Sequence, residues 1–388
     1  MSAQDGRKTM HQEIQQVRVN NPDTLAPIGE FTDNSESWGK ASRGGIVLRE
    51  TKLAIIDNGI FNKEVFPKTF TTTQDSSMTR YQAVDTSRLG KFNAGSTDSV
   101  MLLGDKGTIY HKFSGKQLMK TVIDLELVRE HNMIPANEEY ANEQELVDFI
   151  NYQKLINKDY NIETDNGSVV LNENLRFRNT DKRYLDIKRF VTGLYDTTRT
   201  SQITWLMFNW ISKPRNEQPN DIIEPHDLSF GCDSTNETLY VYVNSENEEQ
   251  YVYSTNQLPN MTLVYQAKIK TCFFEAEHIK KEKAIFGNGD IESRVGFQIR
   301  RAGRLLTGIR PKIWNITTGM NRGKGIRKII DIPACKEADE DFNIGTFKKI
   351  TNDSWVYFRP ELQEFLDKNF RGSNAERDRV HQIEQKKL

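Results

Sequence analysis

The chain has 388 residues, a formal charge of −1 and 28% charged residues. This length allows a sizeable core and favours two domains, while the balanced charge gives no global signal for a nucleic acid or a membrane as partner. Any such signal must therefore be local. The cysteines are few and widely separated, which argues against a disulfide framework or a zinc site and favours a reducing compartment: Cys232, Cys272 and Cys335.

The sequence contains no stretch that is apolar enough to cross a bilayer. The longest apolar run, residues 203–211, is far too short, and the polar N-terminal residues lack the apolar core of a signal peptide. We therefore expect a soluble, unsecreted, cytoplasmic protein without a membrane partner.

Residues 25–43 combine acids and amides on a predicted helix. Glu30 and Asn34 lie four residues apart and would project from the same helix face, with Asp33 on its flank. A carboxylate can orient or deprotonate a water, and an amide oxygen can help to hold Mg²⁺. Taken alone, the same pattern is more typical of a solvated helix face.

Gly44 and Gly45 are expected to end this helix, and two strands are predicted at residues 46–48 and 52–56. The second strand is apolar and ends in Asp57, Asn58 and Gly59, so Asp57 is placed where a buried strand runs out into a loop. Residues 61–88 are polar and predict either a loop that covers a site or an ordinary surface loop.

A glycine-containing loop at residues 90–96 precedes a predicted helix at 97–103, and such a loop presents backbone N–H groups to phosphates. Strands are predicted at 108–113, 118–127 and 199–210. An amphipathic helix is predicted at 142–155, and a hairpin around Asn166 and Gly167. A polar stretch near residue 215 marks the expected domain boundary.

The second half begins with predicted strands at 238–243, 251–253 and 262–271, and a helix is predicted at 360–370. Between residues 293 and 330 there is no acid. This run predicts a polyanion-binding surface, although side chains that pair with acids elsewhere are an equal alternative. Its basic residues are Arg294, Arg300, Arg301, Arg304, Arg310, Lys312, Arg322, Lys324, Arg327 and Lys328.

In order, these motifs resemble those of the GHKL ATPase superfamily, which includes DNA gyrase B, a large heat-shock chaperone, histidine kinases and MutL. The family's first motif, E-[hydrophobic]-x-D-N-[SA], is similar to residues 30–35, and its D-x-G-x-G motif is similar to residues 57–61, where Phe61 replaces the second glycine. The resemblance implies that Glu30 is the general base, that Asn34 is a Mg²⁺ ligand, and that Asp57 and Gly59 bind adenine.

The family's third motif, G-x-[FY]-G-x-G-x, is similar to the 90–96 loop, with Asn93 in place of the middle glycine. A fourth motif, G-T-x-[IV], is faintly similar to residues 200–203, which would place Ser201 in the site. The resemblance implies that the nucleotide also contacts Gly90, Phe92, Asn93, Ala94, Gly95 and Ser96.

The layout is most similar to the MORC-type branch, in which a Bergerat-fold α/β sandwich is followed by a ribosomal S5-like transducer domain. This implies an α+β protein with an ATP-binding domain at 1–215, a transducer domain at 216–370 and a charged helix or tail at 371–388. Residues 296–306 are similar to the transducer's strand-turn-strand. The resemblance also implies that a transducer lysine, Lys348 or its neighbour Lys349, reaches the γ-phosphate.

The function implied is a Mg²⁺-dependent ATPase whose chains dimerise on ATP binding to form a clamp, with DNA as cargo through residues 294–328. Two alternatives stay open. One is a chaperone-like clamp on a protein client, and the other is a nucleotide-binding regulatory module without turnover, suggested by Phe61 and Asn93. Glu30 argues against the regulatory module, because a protein that binds a nucleotide without hydrolysing it needs no general base.

Overall fold

The computed structural model describes residues 18, 25–37, 41–60, 95–131, 138–194, 203–211, 217–244, 247–273, 276–286, 296–306, 326–344 and 358–369. Over these residues the protein is a mixed α+β structure, as the sequence predicts. The chain divides into two compact units. The first contains most of the chain up to Pro225, and the second contains the residues from His226 onward.

The described part of the first unit holds an eight-stranded sheet with the order β5-β4-β3-β6-β2-β1-β7-β8. Strands β1 and β7 are parallel and the other neighbours are antiparallel. Its elements are α1 (Ala26–Ser37), β1 (Arg43–Arg49), β2 (Lys52–Asp57), α2 (Gly95–Leu103), β3 (Gly104–Lys112), β4 (Met119–Asp124), α3 (Leu125–His131), β5 (Glu138–Tyr140), α4 (Glu143–Ile156), β6 (Gly167–Leu175), α5 (Asp181–Leu194), β7 (Thr204–Asn209) and β8 (Asp221–Ile223).

Strand β2 is buried on both faces, which explains its unbroken apolar sequence. Leu53 and Ile55 belong to a core cluster shared with α1, α2 and α5, whereas Ala54 and Ile56 belong to a second cluster shared with α4. Because side chains alternate along a strand, Asp57 continues the series of Leu53 and Ile55. The last side chain of β2 therefore lies on the α1 side of the sheet.

The prediction that Gly44 and Gly45 end the first helix is wrong. Helix α1 ends at Ser37, and both glycines lie inside β1. Their role is to admit neighbouring side chains: a Cβ on Gly44 would lie 2.4 Å from the ring of Trp205, and one on Gly45 would lie 2.8 Å from Ile156.

Two further boundaries differ from the sequence predictions. The hairpin around Asn166 and Gly167 is absent, because Gly167 opens β6, which pairs with β2 and β3. The strand predicted at 118–127 ends at Asp124, whose side chain accepts a hydrogen bond from the N–H of Glu126 at 2.9 Å and so helps to start α3. Short-range polar contacts decide this boundary.

The described part of the second unit holds a six-stranded sheet with the order β10-β9-β11-β14-β12-β13, in which β12 and β14 are parallel. The strand-turn-strand predicted at 296–306 is confirmed, with Ala302 and Gly303 both at positive φ between the strands. The elements are β9 (Asp233–Asn244), β10 (Asn247–Ser254), β11 (Thr262–Phe273), α6 (Ala276–Phe286), β12 (Gly296–Arg301), β13 (Arg304–Leu305), β14 (Ile326–Ile332), α7 (Lys336–Asp341) and α8 (Pro360–Asn369).

Half of the basic residues at 294–328 are buried in the second unit, so the predicted polyanion surface is wrong for that half. The alternative, pairing with acids elsewhere, is confirmed for Arg300, Arg301 and Arg327. Arg301 makes two contacts with the carboxylate of Asp339, at 2.6 and 3.0 Å, and Arg327 contacts Glu282 at 2.9 and 3.0 Å. The buried basic residues are Arg300, Arg301, Arg304, Arg327 and Lys328. Those outside the described residues are Arg294, Arg310, Lys312, Arg322 and Lys324.

Over the described residues, no helix combines the length and the apolar character that a bilayer crossing needs.

The buried Arg301–Asp339 pair is expected to dominate the stability contributed by α7. Replacing Asp339 by Asn removes the negative charge that contacts the buried Arg301 guanidinium, and we expect the free energy of unfolding to fall by about 3 kcal/mol. The matched control is Glu340→Gln on the same helix, since Glu340 pairs with Lys336 at the surface, and we expect a change below about 0.5 kcal/mol. Urea denaturation measures both, and equal losses would contradict the analysis.

Candidate nucleotide site at the end of strand β2

Ser35 connects helix α1 to the carboxylate at the end of β2. Its Oγ lies 2.9 Å from Asp57 Oδ2 and 3.0 Å from the carbonyl oxygen of Phe31, so its single proton is shared between two acceptors. Both Ser35 and Asp57 are buried. The structure thus brings together the two motifs that the sequence analysis placed in one site.

Asp57 also accepts hydrogen bonds from the strand beside it and from its own turn. The hydroxyl of Ser168, which faces Asp57 across the β2–β6 pair, donates to Oδ2 at 2.5 Å, and the N–H of Gly59 donates to Oδ1 at 2.8 Å. A carboxylate has about four lone-pair sites. Over the described residues, Oδ2 lies beside two hydroxyls and Oδ1 accepts one N–H, so one lone pair of Oδ1 is not used by a described residue.

Burial raises the pKa of Asp57 above its ordinary value, and the hydrogen bonds from Ser168, Gly59 and Ser35 oppose this rise. An ionised carboxylate in such a place is costly unless donors surround it. A ligand that brings an N–H donor to Oδ1 would therefore favour the charged form.

The turn that follows Asp57 is fixed by Asn58. Its side-chain oxygen accepts hydrogen bonds from the N–H groups of Ser42 and Arg43, both at 3.0 Å, and its Nδ2 donates to Ser42 Oγ at 3.0 Å. The chain leaving β2 is thereby held against the start of β1. This contact keeps Gly59 within reach of Asp57.

An aromatic ring lies on the other side of Asp57. Gly44 is the β1 residue opposite Asp57, and the indole of Trp205 occupies the space that a side chain at position 44 would need. Trp205 is buried. The carboxylate therefore lies between a polar neighbour, Ser168, and an apolar one.

The predicted helix that carries Glu30 and Asn34 is present as α1, but its face is not solvated. Glu30 is 2% exposed and Asp33 is fully buried, whereas Asn34 is partly exposed. The interpretation of this pattern as a solvated helix face is therefore wrong. Carboxylates are rarely buried unless other groups pair with them, and buried acids cluster at functional sites.

The 90–96 loop is described only at its end. Gly95 and Ser96 begin α2, two residues earlier than predicted, and α2 packs against α1. The other predicted site residues lie outside the described part of the chain. They are Gly90, Phe92, Asn93 and Ala94 of the phosphate loop, Ser201 of the fourth motif, and the transducer lysines Lys348 and Lys349.

The sequence analysis does not identify Ser168, whose side chain contacts Asp57, or Gln153, which contacts the backbone of both residues from the other face of the sheet. Ser168 lies in the sequence Gly167-Ser168-Val169-Val170, which differs from the G-T-x-[IV] pattern by a serine in place of the threonine. That signal was available. For Gln153, whose Nε2 donates to the carbonyl oxygens of Asp57 at 3.1 Å and Ser168 at 2.9 Å, no sequence signal exists.

Comparisons with protein-family models and with curated protein sequences give no match. Among solved structures, the crystal structure of the N-terminal domain of a DNA repair protein is similar over 93% of this chain and 98% of its own chain, with 12% sequence identity and a TM-score of 0.47. A likeness at this level carries no argument about function.

His111 lies opposite Ser168 on β3 and makes this part of the sheet sensitive to acid. Burial lowers the pKa of His111 from 6.5 to about 4. Between these two pH values the unfolded chain binds a proton at His111 and the folded protein does not. The contribution of neutral His111 to the free energy of unfolding is therefore complete above pH 6.5 and is lost as the pH falls toward 4.

We expect His111→Gln to remove this acid sensitivity. The difference in free energy of unfolding between wild type and variant should shift against the wild type by up to roughly 3 kcal/mol between pH 7.5 and pH 4. Chemical denaturation at both pH values measures it. A difference that is the same at both would show that His111 does not titrate in this way.

Proposed function

We propose that the first unit binds Mg²⁺-ATP and hydrolyses it, as a GHKL-type domain with a Bergerat fold. The observation that carries this proposal is the buried carboxylate of Asp57. Hydroxyls from α1 and β6 and an N–H from its own turn surround it, and one acceptor position remains. A buried carboxylate next to a helix that carries further buried acids suits a nucleotide site better than a purely structural core.

Base recognition follows from the acceptor position on Asp57. The 6-amino group of adenine is a donor and can bond to Oδ1, with Ser168 beside it. Guanine carries a carbonyl at position 6, which would bring an acceptor against an acceptor and leave both buried groups unpaired. We therefore assign Asp57 and Ser168 to adenine selection, with Gly59 allowing the base to approach.

Hydrolysis is assigned to Glu30 of α1. Glu30 would take a proton from the attacking water as its oxygen bonds to the γ-phosphorus, the bond to the β,γ-bridging oxygen breaks, and ADP leaves. The α2 N-terminus at Gly95 and Ser96 would bind phosphate oxygens.

The donor types on α1 suit magnesium. When bound, Mg²⁺ neutralises phosphate charge, and Asn34 offers the hard oxygen ligand that it prefers. In the described part of the chain, no group of three or more His, Cys, Asp and Glu side chains could hold a metal. Mg²⁺ in nucleotide sites takes one or two protein ligands and completes its shell with phosphates and waters.

The wider proposal is an ATP-gated clamp. Two chains would dimerise when ATP binds, and the second unit would act as an S5-like transducer. DNA contact would have to come from the basic residues of 294–328 that lie outside the described part, because the described ones are buried. Salt-dependent DNA binding separates this cargo from a protein client.

We expect Glu30→Gln to lower the rate of ATP hydrolysis by about 100-fold or more, since general-base catalysis supplies about that much, while ATP affinity stays within about threefold. Phosphate release and calorimetric titration measure the two quantities. The control is Glu36→Gln, an equally buried acid on the same helix, which should keep its activity within a few-fold. If the wild type binds ATP without turnover, the regulatory module becomes the better account.

We expect Asp57→Asn to weaken ATP binding by about 10- to 100-fold, because a hydrogen bond to a charged group contributes roughly 1.5–3 kcal/mol. The affinity for GTP should fall less, so that selectivity for adenine declines. Titration with both nucleotides measures this. An unchanged ATP affinity would remove Asp57 from the site.

A further inference from the structure

Gln153 reaches the nucleotide site from the opposite face of the sheet. It lies on α4, is fully buried, and its Nε2 donates to the backbone carbonyl oxygens of Asp57 at 3.1 Å and Ser168 at 2.9 Å. The two hydrogens of one amide group thus bond to two different strands. Those strands are β2 and β6, at the residues whose side chains meet at the site.

We propose that Gln153 is a positioning residue for adenine recognition. Asp57 is the last residue of β2 and Ser168 the second of β6, and the two form the last pair of the β2–β6 ladder. The Gln153 amide donates to the backbone carbonyl oxygens of both residues of this pair. It fixes the distance at which the Asp57 carboxylate and the Ser168 hydroxyl meet. This inference rests on the proposed ATP site.

Gly167 shows how closely the amide is fitted. A Cβ on Gly167 would lie 2.5 Å from Gln153 Nε2 and 2.7 Å from its Cδ. Gly167 is not among the residues with positive φ, so the glycine is required for space and not for backbone conformation. The Gln153 amide therefore packs directly on the β6 backbone next to Ser168.

Helix α4 is anchored well enough to hold Gln153 in place. Its N-terminus has a capping box, in which the Asn142 side chain accepts from the N–H of Glu145 and the Glu145 side chain accepts from the N–H of Asn142. Lys120 of β4 bonds both oxygens of Glu145 at 2.8 and 3.0 Å. Phe149 and Leu155 bury the apolar face of the helix against the sheet.

The test compares ATP with inosine triphosphate, which carries a carbonyl in place of the 6-amino group. Gln153→Met keeps the side-chain length and removes the donor. We expect its Kd for ATP to rise at least tenfold and its preference for ATP over inosine triphosphate to fall toward one, while kcat at saturating ATP stays within threefold. The control is Leu155→Ala on the same helix, which should lower the Tm and keep the preference.

Each outcome decides between the accounts. If Gln153→Met lowers the Tm but keeps the wild-type preference, Gln153 has only a structural role and the inference fails. If the wild type itself binds no ATP, or does not prefer it, the proposed function fails and the inference with it. Should Gln153→Met not fold, the same Tm, Kd and preference measurements are made on Gly167→Ala. The added Cβ would displace the Gln153 amide from the β6 backbone.

Discussion

The buried carboxylate of Asp57 is the constraint on which the first unit depends. A charge at the end of a central strand is expensive to bury, and it is tolerated only where donors converge on it. Here the donors come from three places: Ser35 on α1, Ser168 on β6 and the N–H of Gly59 in the following turn. The register of β2 with β6 and the packing of α1 are therefore tied to one polar group.

Contacts on both faces of the sheet support this arrangement. On the α1 side, Gly44 leaves room for the Trp205 ring next to Asp57, and on the α4 side Gly167 leaves room for Gln153. Both glycines lie in strands, where glycine weakens the local structure unless another group approaches closely. The sheet accepts this local cost at the positions that flank the candidate site.

How much of this was predictable from sequence depends on the range of the interactions. Helix α1, strand β2 and the position of Asp57 at its end follow from local periodicity, and the structure confirms them. The prediction that Gly44 ends the helix is wrong because a helix-stop signal is local, whereas the Trp205 ring that requires the glycine is distant in sequence. Ser168 lies in a short pattern that is close to G-T-x-[IV], so a sequence signal for it exists. Gln153 acts through two backbone carbonyls, which no sequence pattern reports.

The basic run at 294–328 shows why a charge pattern alone does not predict a binding surface. A linear count of charges cannot show whether acids from other elements face them, and here Asp339 of α7 and Glu282 of α6 pair with Arg301 and Arg327 in the interior. Pairs of this kind stabilise a fold weakly overall but are costly to break. Among the described residues of the second unit, the arginines that suggested a partner are buried in its interior.

The most direct test of the central claim is a crystal structure of the protein with Mg²⁺ and a non-hydrolysable ATP analogue. The account predicts the adenine amino group within hydrogen-bond distance of Asp57 Oδ1, with Ser168 beside the base and Asn34 at the metal. A nucleotide bound elsewhere on the first unit, or a base that leaves Asp57 without a contact, would contradict it.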